Sequence, residues 1–124
     1  MRGQDVTFDH TDAGALLDQL DDRELDDLDF GVVRMDQDAR VVSYNRAESE
    51  LSGLDRSQVV GENFFIQVAP CANNYLVAQR YLDEEDLDDT IEYIFTYRML
   101  PTPVLLRLIR RPGMRYRYLL VRRA

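Results

Sequence analysis

The chain has no lysine: all 15 of its cations are arginine. It has one cysteine, Cys71, and one histidine, His10. A single cysteine cannot close an internal disulfide, and no charged-then-apolar leader opens the chain, so the expected location is cytoplasmic. His10 lies in a stretch without apolar period and has no ligand cluster beside it. No metal site is expected there, and haem would lack an axial histidine. The longest apolar runs are a handful of residues, far short of the roughly 20 a membrane span needs. No membrane partner is therefore expected.

What is present is one modest domain of 124 residues with an ordinary hydrophobic fraction of 45%. Against the 15 arginines stand 23 acids, for a net charge of -8. Many aspartates and no lysine suggest a halophilic source, a cell whose internal salt screens charge to within about 3 Å at 1 M. Drift in a high-GC genome would give the same preference for arginine. The charge is also segregated. Residues 1–30 carry 10 acids and 2 arginines, and residues 98–124 carry 8 arginines and no acid. An overall negative field repels phosphate backbones, so the basic end reads as a segment packed near the acidic one rather than as a nucleic-acid patch.

The apolar spacing of Ala13, Leu16, Leu17 and Leu20 predicts a short helix with Asp12 as N-cap. A further helical turn is expected over 22–28. These two pieces make an acidic cap, residues 1–28, belonging to the same fold as a core of residues 29–124. Strands are expected over 30–35 and 40–44, joined by the turn Asp36 to Ala39. Asn45 and Glu48 have capping-box spacing, and Gly53 ends that helix. Short helical turns follow over 57–61 and 63–68, then a longer helix over 74–82. The alternation of Ile91, Tyr93, Phe95, Tyr97 and Met99 predicts a strand over 90–100, with others over 104–110 and 116–121. The sum is an α+β domain with a five-stranded antiparallel sheet flanked by short helices.

Tyr44 and Glu48 stand four residues apart, and Cys71 follows Ala69 and Pro70. Brought into one pocket, they can hold a covalent ligand by its sulfur and cradle a buried anion at its far end. Taken singly, each has a plainer reading. Cys71 can be a small core residue. Glu48 can be the capping-box partner of Asn45, and Tyr44 a half-exposed aromatic at a strand end.

Several stretches together resemble the photoactive yellow protein family, small blue-light receptors with the PAS fold. They are Leu25 to Asp36, Tyr44-Asn45-x-Ala47-Glu48, Val60-Gly61-x-Asn63-Phe64-Phe65-x-x-Val68-Ala69-Pro70-Cys71, and Glu92-Tyr93-x-Phe95-x-Tyr97-x-Met99-x-Pro101-Thr102. The resemblance runs from about residue 14 to the C-terminus, and its most specific part is Asn63 to Cys71. It implies a p-coumaric acid (4-hydroxycinnamic acid) chromophore bound as a thioester to Cys71. Tyr44 and Glu48 match the residues that hydrogen-bond its phenolate. Ser52 matches a threonine that supports the tyrosine. Phe64, Ala69, Pro70, Phe95, Tyr97 and Met99 match the pocket walls. Two features depart from the family. Leu54 stands where its best-known members carry an arginine, and the connection after Cys71 is a few residues shorter.

The implied photocycle has a physical logic. Low dielectric and a neighbouring anion both raise a carboxyl pKa, so such a pocket would keep Glu48 neutral and able to donate. Light isomerises the double bond from trans to cis, a proton moves from Glu48 to the phenolate, and a carboxylate is left buried at a cost of several kcal/mol. The acidic cap is the natural unit to loosen. The expected partner is a downstream signalling protein, the chain is expected to be a monomer, and no enzymatic activity is expected. Two rivals remain. One is a ligand-free PAS interaction module. The other is an isomerase-type enzyme with Tyr44 and Glu48 as an oxyanion hole, for which no separate base is assigned.

Overall fold

The computed structural model describes residues 6–97 and 100–124, apart from the side chain of Tyr97. Five strands form one antiparallel sheet in the order β2-β1-β5-β4-β3. They are β1 (Gly31–Met35), β2 (Val41–Tyr44), β3 (Leu87–Tyr97), β4 (Leu100–Arg110) and β5 (Arg117–Arg123). The helices are short: α1 (Ala13–Asp18), α2 (Asp22–Asp26), α3 (Arg46–Ser52), α4 (Arg56–Val59) and α5 (Ala78–Asp83). No helix among the described residues is long and apolar enough to cross a membrane.

Alternation along the strands buries both sheet faces. On β5, Tyr118 and Leu120 face one way and Leu119 and Val121 the other. The first face packs against Val6, Phe8, Ala13, Leu17, Leu20, Leu25 and Leu28 of the N-terminal segment. The second packs against Phe64, Phe65, Ala72, Val77 and Tyr81. The sheet is therefore the middle layer of three, which explains why all five residues of β1 are buried.

Two buried arginines tie the N-terminal layer down. Arg34 on β1 donates through Nη2 to the carbonyls of Leu17 and Leu20, and through Nε to the Tyr118 hydroxyl at 3.0 Å. That hydroxyl donates onward to Asp18 at 2.7 Å. Arg107 on β4 pairs with Asp88 at 2.7 Å and donates to the carbonyls of Phe8 and His10. The acidic and basic ends of the sequence thus meet in one fold.

Several expected boundaries move. Asp12 precedes α1 but makes no side-chain cap; its own N–H donates to His10 Nδ1 instead. The true cap is on α2, where Asp21 and Glu24 form a reciprocal box. β3 and β4 pair over eleven residues each, from Leu87 with Arg110 to Tyr97 with Leu100. The ladder starts before the expected residue 90 and draws in Asp88 and Asp89, whose charge hides the alternation. The helix expected over 74–82 begins only at Ala78, because the Asn74 side chain takes the N–H groups of Leu76 and Val77 into a turn.

Candidate functional site

Behind the sheet lies a cavity of about 420 Å³, within the range of small-molecule sites. Its polar end is built by β2 and α3. Tyr44 closes β2, held by pairing with Val33 of β1. Glu48 projects from the first turn of α3, and Ser52 from the last. All three side chains are buried, Glu48 to 2% exposure. The Tyr44 hydroxyl is 2.8 Å from Ser52 Oγ and 3.4 Å from Glu48 Oε2. Ser52 Oγ accepts both the Tyr44 O–H and, at 3.2 Å, the Leu54 N–H. Burial first, then the nearby Glu48 carboxyl, pushes the Tyr44 phenol well above its ordinary range. It therefore stays a protonated donor.

The capping-box reading of Glu48 is half right. Asn45 Oδ1 accepts the Glu48 N–H at 3.1 Å. The reciprocal arm is absent, because the Asn45 N–H donates to the Val32 carbonyl at 3.2 Å. The Glu48 carboxyl is turned into the cavity wall instead. Room for it comes from Gly31: a Cβ there would lie 2.3 Å from Glu48 Oε1. Asn45 also accepts the Val32 N–H at 2.8 Å and donates through Nδ2 to the carbonyls of Leu25 and Phe30. One side chain thus joins α3, β1 and the N-terminal layer.

At the other end, Cys71 lines the same cavity, on a three-residue turn over Pro70–Ala72. The plainer reading of Cys71 as a small core residue is corrected: Cys71 is exposed. The buried member of that turn is Ala72, which leaves the sulfur at the cavity rim. The Cys71 carbonyl is gripped by the Tyr93 hydroxyl at 2.7 Å and Asn74 Nδ2 at 3.1 Å, and those two side chains meet at 2.6 Å. Between the ends lie Phe64, Ala69, Pro70 and Phe95, with Leu54 as a further apolar wall. Phe64 starts a single π-helical turn, a form often found at functional sites. Met99 and the side chain of Tyr97 lie outside the described residues.

The structure therefore brings together Tyr44, Glu48, Ser52, Phe64, Ala69, Pro70, Cys71 and Phe95. Sequence reasoning missed Gly31 and the Tyr93–Asn74 grip. Tyr93 was visible as an inward-facing strand residue, but nothing in the pattern said its hydroxyl would meet the Cys71 carbonyl. The donor set fits a ligand attached by sulfur at the rim with an anionic oxygen at the closed end.

Comparison with known proteins first gives the class: the family model for the PAS fold matches residues 19–122. The photoactive yellow protein of Rhodothalassium salexigens is 34% identical over 102 residues, covering 80% of this chain and 82% of that protein. That of Halochromatium salexigens is 35% identical over the same length and coverage. In three dimensions the chain is similar to the photoactive yellow protein domain of the sensor histidine kinase Ppr from Rhodospirillum centenum. The TM-score is 0.80 and the identity 31%, covering 88% of this chain and 98% of that one. The chain belongs to the photoactive yellow protein family, a photosensory branch of the PAS fold.

Proposed function

We propose that this chain is a blue-light photoreceptor carrying p-coumaric acid as a thioester on Cys71. The observation that supports the reading is a single cavity reaching from the Cys71 thiol to the buried Tyr44, Glu48 and Ser52. When bound, the p-coumaroyl group supplies the blue-light absorption and a double bond that isomerises on excitation. Everything else is work for the chain's own groups.

Tyr44, kept protonated and supported by Ser52, donates its O–H toward the ligand's phenolic oxygen. Glu48 is buried to 2% exposure, which disfavours its charged form, so it carries a proton in the dark and acts as the second donor. After excitation that proton leaves the Glu48 carboxyl for the ligand oxygen. A buried carboxylate without its proton costs several kcal/mol, against a total stability of about 5–15 kcal/mol for a domain. Asn45 connects α3 to the Leu25 and Phe30 carbonyls, so a disturbed α3 loosens the N-terminal segment, residues 1–28, from the core at 29–124. A downstream signalling protein reads that change.

The test is to load the pigment-free chain with activated p-coumaric acid. A yellow product should form, heavier by one p-coumaroyl group, bleaching in blue light and recovering in the dark. Cys71→Ser should yield neither colour nor added mass. An unmodified Cys71 would instead favour a ligand-free PAS module, and colour in Cys71→Ser would overturn the attachment.

A further inference from the structure

The β4–β5 hairpin carries an arginine cluster that the pigment site does not use. Arg110 ends β4 and Arg117 begins β5. The register pairs Ile109 with Tyr118, so Arg110 and Arg117 stand opposite each other one step further along. Like charges directly opposite on a sheet are destabilising. Arg111 and Arg115 sit in the connection between them. These four arginines, with Gln37 and Glu85, line a cleft of about 310 Å³.

Little inside the molecule neutralises this cluster. Arg111 bonds Asp86 at 2.9 Å on the exposed surface. Among the described residues, the ion pairs include none of Arg110, Arg115 and Arg117. Asp36 and Asp38, in the β1–β2 turn, act on the charge of Arg117 only from a distance. Glu85 is the one acid in the cleft lining. Partial burial, and then the charge of Arg110, lowers the Arg117 pKa.

The two opposed guanidinium groups are nevertheless fixed in place. Arg110 Nη1 donates to the Tyr81 carbonyl at 2.7 Å, and Arg117 Nη1 to the Gln37 carbonyl at 3.0 Å. Each commits one N–H of a five-donor group to a main-chain anchor. Anchored guanidinium groups lose less freedom when they bind an oxyanion.

We propose that this cleft is a binding site for a small molecule bearing a diphosphate, clamped between Arg110 and Arg117 with Arg111 and Arg115 at its rim. Spacing favours this ligand over an acidic peptide. Opposed ladder residues hold their Cβ atoms about 5 Å apart, whereas same-face side chains of an extended peptide repeat at roughly 7 Å. A diphosphate joins two charged groups through one oxygen and can meet both side chains within the one cleft they line. The site is independent of the pigment reading and needs no light.

The experiment is calorimetric titration of inorganic pyrophosphate into the full pigment-free chain at low ionic strength, where screening is weakest. One site is expected. Charge-assisted hydrogen bonds to phosphate should make Arg110→Gln and Arg117→Gln each bind about tenfold more weakly or worse. Arg117→Lys, which keeps the charge without the fork, should fall between. Arg56→Gln, on another face, should bind as the parent does. Heteronuclear NMR spectra of each variant confirm that it is folded, and Arg110→Gln, which removes the like-charge pair, keeps the test usable if Arg117→Gln is not. Absence of binding, equal affinity for sulfate, unchanged affinity in Arg110→Gln, or preference for a glutamate-rich peptide would each overturn the proposal.

Discussion

Arg34→Ala tests how the N-terminal layer is held. Arg34 is 5% exposed, and its guanidinium serves three acceptors: the Leu17 and Leu20 carbonyls and the Tyr118 hydroxyl. Hydrogen bonds from a charged group are worth about 1.5–3 kcal/mol each. Three of them give a gross contribution of roughly 4–9 kcal/mol, offset by several kcal/mol for taking the guanidinium out of water. Truncation also leaves acceptors without their donor, and removing one member of a buried charged network costs about 3–5 kcal/mol. Water can enter the space left by so long a side chain, so the lower figure, about 3 kcal/mol, is expected. With a urea slope near 1.5 kcal/mol/M, the midpoint falls by about 2 M. The loss should also be local. Native-state hydrogen exchange should show the Gln19 and Leu20 amides, bonded to Leu16 and Leu17, losing protection while β4 and β5 amides exchange only by global unfolding. A midpoint shift below about 0.5 M would refute the reasoning, since it corresponds to under 1 kcal/mol. So would a protection loss spread evenly over sheet and cap.

Three further outcomes are expected. Burial raises the phenol pKa values of Tyr44, Tyr81 and Tyr118 above the ordinary 10.0. The unfolded chain then releases protons above pH 10 that the folded chain keeps. Stability should therefore be level below that pH and fall above it, by up to about 1.4 kcal/mol per pH unit per tyrosine, read from urea midpoints between pH 8 and 11; a flat alkaline limb would contradict the burial. Gly31→Ala places a Cβ 2.3 Å from Glu48 Oε1 and should destabilise by about 1–3 kcal/mol, measured by denaturant unfolding, with unchanged stability refuting the close approach. Cys71, being exposed, should react with a disulfide reagent in the folded pigment-free chain nearly as fast as in urea, and Tyr93→Phe, which leaves only Asn74 on the Cys71 carbonyl, should change that rate; a protected native thiol would count against the rim position.

The legible part of the molecule was what periodicity and residue type carry. Alternation through Ile91, Tyr93 and Phe95 gave β3 its inward face, and the Asn63 to Cys71 run located one wall of the cavity. Glu48 and Ser52 were readable because a four-residue step along one helix places them on one side, and Tyr44, which closes β2, stands just before that helix. What was hidden depends on contacts between distant segments. Arg34 looks like an outward-facing strand residue, yet a second layer covers that face and buries it. Its partners, Leu17 and Leu20, offer main-chain carbonyls, which no side-chain pattern records. Cys71 was misjudged for a related reason. Cysteine is usually buried, but the three-residue turn after Pro70 turns Ala72 inward and leaves the sulfur at the rim.

β1 is five residues long, and its two ends serve different masters. Gly31 abuts the Glu48 carboxyl, while Arg34 grips the N-terminal segment. The two positions are three steps apart along an extended chain, roughly 10 Å. Coupling across so short a rod is reciprocal: if docking of the N-terminal segment changes the affinity for a ligand held at Glu48, that ligand changes the docking by the same factor. Substitutions in this one strand selected for altered ligand affinity should therefore also alter how the N-terminal segment docks.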